Sequence, residues 1–211
     1  MKHKLALALG LLLCFSLMTK SQTITSVHFR ISDTEKGIRS VELNINNTFI
    51  IGISANSNIS YVHEAEEAHS ANASSLEYND DDSKLIANQK IEYYDHLDNS
   101  KSGKTKWIGV IKIDYYDNFD LQAPLGKIKS IGNIKFTYNN DYDIHDKFGT
   151  LKSLGDIKIA YNNAFDIHDP EGKVKSIGNV KITYFNSFDT QRLFGKVKSI
   201  KGNSKKVYVT K

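Results

Sequence analysis

The sequence predicts an all-β fold built from tandem β-hairpin repeats of about 23 residues, stacked into an extended antiparallel sheet or a solenoid. Three observations carry that expectation. Gly103, Gly126, Gly149, Gly172 and Gly195 recur at a spacing of 23 residues, the period of a supersecondary unit that buries its apolar face only by stacking on its neighbours. Between them runs an I-K-I-x-Y alternation, from Ile111 to Tyr115 and in later copies, and a period of two marks strands with one buried face. Short β-rich runs such as KIKSI and KVKSI join these strands through Gly132-Asn133, Gly155-Asp156 and Gly178-Asn179, where Gly supplies the positive φ of a two-residue hairpin turn.

From the amino terminus, residues 1–21 carry Lys2 and Lys4 ahead of an apolar run from Leu5 to Met18, the pattern of a secretory signal peptide cleaved near Ser21. That run is shorter than the roughly 20 residues needed to span a bilayer, so no transmembrane segment is expected after cleavage. Cys14 is the only cysteine. An exported chain lacking it has no disulfide and holds together by packing alone. The expected location is secreted or periplasmic, at the cell envelope.

Residues 22–53 read as N-terminal strands, ITSVHFRI, GIRSVELNI and TFIIGI, with Asn46-Asn47 as a turn. Gly37, Arg39, Ser40 and Val41 weakly echo the later units and make this region a candidate degenerate cap. Residues 54–83 shift to Asn, Ser, Ala, Glu and Asp and read as a polar acidic loop or insertion, with one short helix at HEAEEAH. Residues 84–211 are the repeat array, which begins before Gly103 because KIEYYDHLD matches KIDYYDNFD at a spacing of 22.

Aligned units give apolar columns at Ile128, Leu151, Val174 and Val197, and at Ile131, Leu154, Ile177 and Ile200. Tyr115, Tyr138, Tyr161 and Tyr184 form one aromatic column, and Phe119, Tyr142, Phe165 and Phe188 another. The register stays open. A two-residue turn sets Ile177 opposite Val180 but leaves Val174 on the other face, so either a bulge intervenes or both faces are partly buried.

The runs YDIHDKFGTLKSL and FDIHDPEGKVKSI resemble the YD repeats of Rhs-type secreted proteins, in which an aromatic-Asp pair, a turn, Gly, a basic residue and an apolar strand recur. Five residues separate Asp166 from Gly172, a longer turn than that family's, and the resemblance covers about half the chain. It implies a secreted β-hairpin array. Leu151, Leu154, Ile157, Ile159 and Asn162 also resemble the leucine-rich spacing, which implies parallel coils, although Tyr116 and Phe185 depart from it at the Asn position.

Charge is asymmetric: residues 101–211 carry 20 Lys plus Arg against 11 Asp plus Glu, whereas residues 22–100 carry 5 against 13. A uniformly basic nucleic-acid binder would not look like this, and no nucleic-acid partner is expected. Lys106, Lys129, Lys152, Lys175 and Lys198 occupy one position in every unit, with Lys112 to Lys181 as a second column. Stacked in register they form rows of positive charge, the candidate binding residues for a polyanion. Asp120, Asp143, Asp166 and Asp189 recur as strictly and partly neutralise the rows.

Asp143, His145 and Asp146, repeated as Asp166, His168 and Asp169, offer oxygen and imidazole ligands side by side. The flanking units replace them with Gln122 and Ala123, and with Gln191 and Arg192, so no metal is assigned. In HEAEEAH the histidines His63 and His69 are six apart, not the four that one helical face requires. No nucleophile motif and no phosphate-binding glycine pattern is present, and no cofactor is expected. The reading is a non-enzymatic exported repeat protein with a structural or adhesive role, its partner an unidentified protein or glycan at the cell envelope. The alternative is a module binding polyanionic glycan or lipopolysaccharide through the lysine rows.

Overall fold

The computed structural model describes residues 22–65, 85–86, 89–98 and 100–211. The signal-peptide assignment, Cys14, His69 and residues 66–83 of the acidic insertion lie outside the described residues. The fold is all-β. An 11-stranded meander contains β5 (Leu85–Ile86), β6 (Gln89–Tyr93), β7 (Thr105–Ile108), β8 (Ile111–Tyr115), β9 (Ile128–Ile131), β10 (Ile134–Tyr138), β11 (Leu151–Leu154), β12 (Ile157–Tyr161), β13 (Val174–Ile177), β14 (Val180–Tyr184) and β15 (Val197–Lys201), each strand paired antiparallel with the next in sequence. A second sheet has the order β16-β1-β2-β3-β4, from β16 (Val207–Thr210), β1 (Ile24–Ile31), β2 (Ile38–Ile45), β3 (Phe49–Ser54) and β4 (Ile59–Glu64). The array is a hairpin meander, not a set of parallel coils.

Each hairpin turn places Gly at φ between +53° and +58°, at Gly109, Gly132, Gly155 and Gly178, with Ile131 opposite Ile134 and Ile177 opposite Val180. The residue that follows has no positive φ, which makes this the two-residue turn with Gly at its first central position. The other register question is answered by a bulge repeated in every unit. Tyr161 faces Val174 and Ala160 faces Ser176, leaving Lys175 as the extra residue. Lys129, Lys152 and Lys198 are skipped in the same way, as is Lys106. Because one extra residue restores the alternation, Val174 and Ile177, three apart, both lie fully buried.

The second sheet covers the apolar face of the array, and both contribute to one core: Val27, Phe29 and Leu43 on one side, Ile113, Ile131 and Val174 on the other. So residues 22–53 lie over the face of the array, not stacked at its end, and residues 207–210, read from sequence as array, leave it to pair parallel with β1. Residues 59–64, read as loop, form an edge strand in which Val62 is the buried residue. His63 and Glu64 of HEAEEAH lie in that strand and not in a helix.

Specific polar contacts fix the cover to particular units. The Ser57 hydroxyl lies 2.7 Å from the Tyr138 hydroxyl and accepts the Ile128 N–H. Asp33 accepts the Val197 N–H. Lys173, 6% exposed, donates its ammonium to the carbonyls of Ser32, Asp33 and Glu35 at 2.7 to 3.0 Å. On the outer face of the cover, Glu42, Gly52 and Tyr61 are in register across β2, β3 and β4. A Cβ at Gly52 would sit 2.3 Å from the Tyr61 ring. The missing side chain therefore lets that ring lie across the strand.

Candidate functional site

The long loops all leave the same end of the array, opposite the glycine turns, and each opens with one motif. In Asn140 to Asp143 the Asn140 side chain accepts the Tyr142 N–H while the Asp143 carboxylate reaches back to the Asn140 N–H. The same reciprocal pair closes Asp117 to Asp120, Asn163 to Asp166 and Asn186 to Asp189. Asn and Asp bond their own backbone two or three residues away. Such a turn satisfies its own N–H groups and leaves its third residue pointing out.

That third residue is aromatic in four units. Phe119 is 93% exposed, Tyr142 73%, Phe165 71% and Phe188 77%, with Leu97 taking the place one unit earlier. Leu121, Ile144 and Ile167 stand two residues further on and are equally exposed. The second aromatic column is thus a surface feature, unlike the Tyr115 column, which is buried. Rungs on successive hairpins are two strand spacings, about 10 Å, apart.

Three of the four rings, Tyr142, Phe165 and Phe188, are braced by the preceding unit. His145 packs edge-on against Phe165 with ring centroids 4.5 Å apart, and His168 lies 4.2 Å from Phe188. One unit earlier, Gln122 donates to the Tyr142 hydroxyl. Gln122, His145 and His168 sit at the same repeat position, so one place in each unit serves the next unit's ring. This arrangement splits the D-x-H-D signature. Asp143 and Asp166 turn to lysines, the imidazoles turn to aromatic rings, and among the described residues no cluster of three or more His, Cys, Asp or Glu is placed to hold a metal ion.

The bulge lysines meet those carboxylates. Lys129 pairs with Asp120, Lys152 with Asp143, Lys175 with Asp166 and Lys198 with Asp189, at 2.5 to 2.9 Å. The lysine hydrogen bond, then the backbone N–H, holds the Asp143 and Asp166 carboxyls below their usual range; at Asp189 the backbone N–H of Asn186 is the larger cause and Lys198 the second. Lys106 differs. Its ammonium lies 5.3 Å from the centre of the Tyr94 ring. Four of the five candidate binding lysines are therefore members of an ion-pair ladder, not a row of bare charge.

The second lysine column is the open one. Lys112, Lys135, Lys158 and Lys181 are exposed on the solvent face of the array with no ion-pair partner among the described residues. Between the two columns an open cleft of about 640 Å³ runs along the third and fourth units, lined by Lys152, Asn163, Asp166, Lys175 and Lys181 among others. Its floor is the sheet.

Sequence reasoning assigned the lysines and passed over the exposed rings, because a repeat column shows that a position matters without showing which way it faces. The signal was local: Asn or Asp two residues before and Asp one after each ring mark a turn and not a strand. Comparison with family models, with curated proteins and with solved structures returns no match to this chain.

Proposed function

We propose that this chain is a non-enzymatic adhesive repeat protein of the cell envelope or the extracellular space, binding its partner through the row of rings on the long-loop edge. The observation that supports this is the ladder of Phe119, Tyr142, Phe165 and Phe188, exposed at one position in four consecutive units. Contiguous exposed apolar surface is uncommon on monomeric soluble proteins and marks interaction sites. Repetition of a weak contact along a rigid array gives avidity that no single rung has.

The test is retention of the purified protein on envelope and extracellular-polymer preparations of the source organism. The wild type should be retained, and a variant with the four rings changed to Ser should not. A second reading, polyanion binding, is favoured by one observation, the unpaired column Lys112, Lys135, Lys158 and Lys181. Salt-sensitive retention on heparin, lost when these four become Gln, distinguishes it from the first.

A further inference from the structure

The geometry points to a soluble, uncharged, extended β-1,4-linked polysaccharide as the ligand of the ring ladder, an inference that rests on the adhesive reading above. The rungs are about 10 Å apart because each unit contributes two strands. Two sugars of an extended β-linked chain advance by a comparable length. The ladder therefore offers one ring to every second pyranose, on whose apolar C–H face an aromatic ring stacks.

The rings are held before any ligand arrives. Each sits at the third position of a turn whose N–H groups are already satisfied, and Tyr142, Phe165 and Phe188 are further braced by Gln122, His145 and His168. A rigid platform suits a stiff, periodic ligand, since little side-chain freedom is lost on binding.

Charge selects among glycans. Asp120, Asp143, Asp166 and Asp189, which flank the rings, are each neutralised by a lysine, while Asp141, Asp146, Asp169 and Glu171 of the same loops are offset by Lys147, Arg192 and Lys196. The edge therefore carries no net positive charge to draw a polyanion or an anionic bilayer. Asn163 and Asp166, which bracket Phe165, also line the cleft beside it and present amide and carboxylate groups for sugar hydroxyls. The twist expected of such a sheet turns each rung relative to the last, which fits a single polymer chain better than a flat crystalline face.

The experiment is native affinity electrophoresis of the full chain in gels containing hydroxyethyl cellulose, glucomannan or xylan. Wild type should be retarded by at least one of them, and the Phe119→Ala, Tyr142→Ala, Phe165→Ala, Phe188→Ala variant should lose affinity by about a hundredfold or more, the scale of lost avidity. Should that variant fail to fold, Phe165→Ala with Phe188→Ala serves in its place. No retardation in any of the three gels, or equal retardation of wild type and variant, overturns the inference. So does binding confined to phosphatidylcholine vesicles. If the glycans are ignored while envelope material still binds through the rings, the polysaccharide assignment falls and the adhesive reading stands; if envelope binding survives loss of the rings, the adhesive reading falls as well.

Discussion

Lys173 and Lys175 lie two residues apart at β13, and the structure predicts very different consequences for losing each charge. Lys173 is buried, and its ammonium bonds three carbonyls of the Ser32 to Glu35 segment. Hydrogen bonds to a charged group contribute about 1.5–3 kcal/mol each, and burial makes an unmatched partner costly. Part of that segment is exposed, so its carbonyls recover some water when the ammonium is gone. The net loss for Lys173→Met, which keeps the stem and removes the charge, comes to about 3 kcal/mol. For a chain of this size that lowers the melting temperature by about 6–12 °C. Lys175 holds Asp166 at 2.5 Å with its side chain about half exposed, and exposed pairs contribute about 0–1 kcal/mol. Lys175→Met should therefore stay within about 3 °C of wild type. Urea and thermal unfolding followed by circular dichroism measure both. A Lys173→Met variant within about 1 kcal/mol of wild type, or equal losses for the two, would refute the account of how the cover is fastened to the array.

The bulge makes a sharper geometric prediction. Deleting Lys175 leaves Val174 and Ile177 two apart, on one face of a regular strand, so the chain should fold and keep its near-ultraviolet signature. Deleting Lys181 turns Val180 outward from the core and should cost about 2–4 kcal/mol or more by the same unfolding assay. Gly52→Ala should cost about 1–3 kcal/mol by crowding the Tyr61 ring, and Gly52→Ala with Tyr61→Ala should recover much of that loss. Acid stability should depend on Glu42, whose carboxyl is held down at about 2 from an ordinary 4.5, chiefly by the His28 hydrogen bond and further by Tyr61 and Arg30. A depressed carboxyl pKa stabilises the fold above about pH 4.5, and that contribution is lost as pH falls towards 2. The stability gap between wild type and Glu42→Gln should accordingly narrow across that window in pH-dependent urea titrations; a gap constant from pH 7 to 2 would contradict the assignment.

Local chemistry was legible in the sequence, and long-range pairing was not. The Gly-Asn and Gly-Asp turns and the Asn46-Asn47 turn, both residues at φ +54°, follow from dihedral preferences of a few adjacent residues, and they lie where the sequence puts them. The need for a bulge was readable from Val174 and Ile177, but which residue it expels depends on cross-strand pairing with Ala160 and Tyr161. That the lysine column and the bulge column coincide could be seen only in the ladder. The covering sheet was hidden for a related reason: the parallel pairing of Val27 with Val207 joins residues 180 apart in sequence, and no local pattern specifies such a partner. The edge strand from Ile59 escaped notice because its apolar positions sit among Ser, Asn and Glu. At the loop edge, a column of aromatic residues was visible but its exposure was not, since burial is decided by the turn that carries each ring.

The measurement that bears most directly on the account is a side-by-side retention experiment on envelope preparations. It compares wild type, the variant with Phe119, Tyr142, Phe165 and Phe188 changed to Ser, and the variant with Lys112, Lys135, Lys158 and Lys181 changed to Gln. All four rings are exposed, so the first variant should unfold at the wild-type temperature. It should nevertheless be lost from the bound fraction while the lysine variant is retained as well as wild type. Binding that survives removal of the rings and disappears with the lysines would contradict the account and assign the surface to a polyanion.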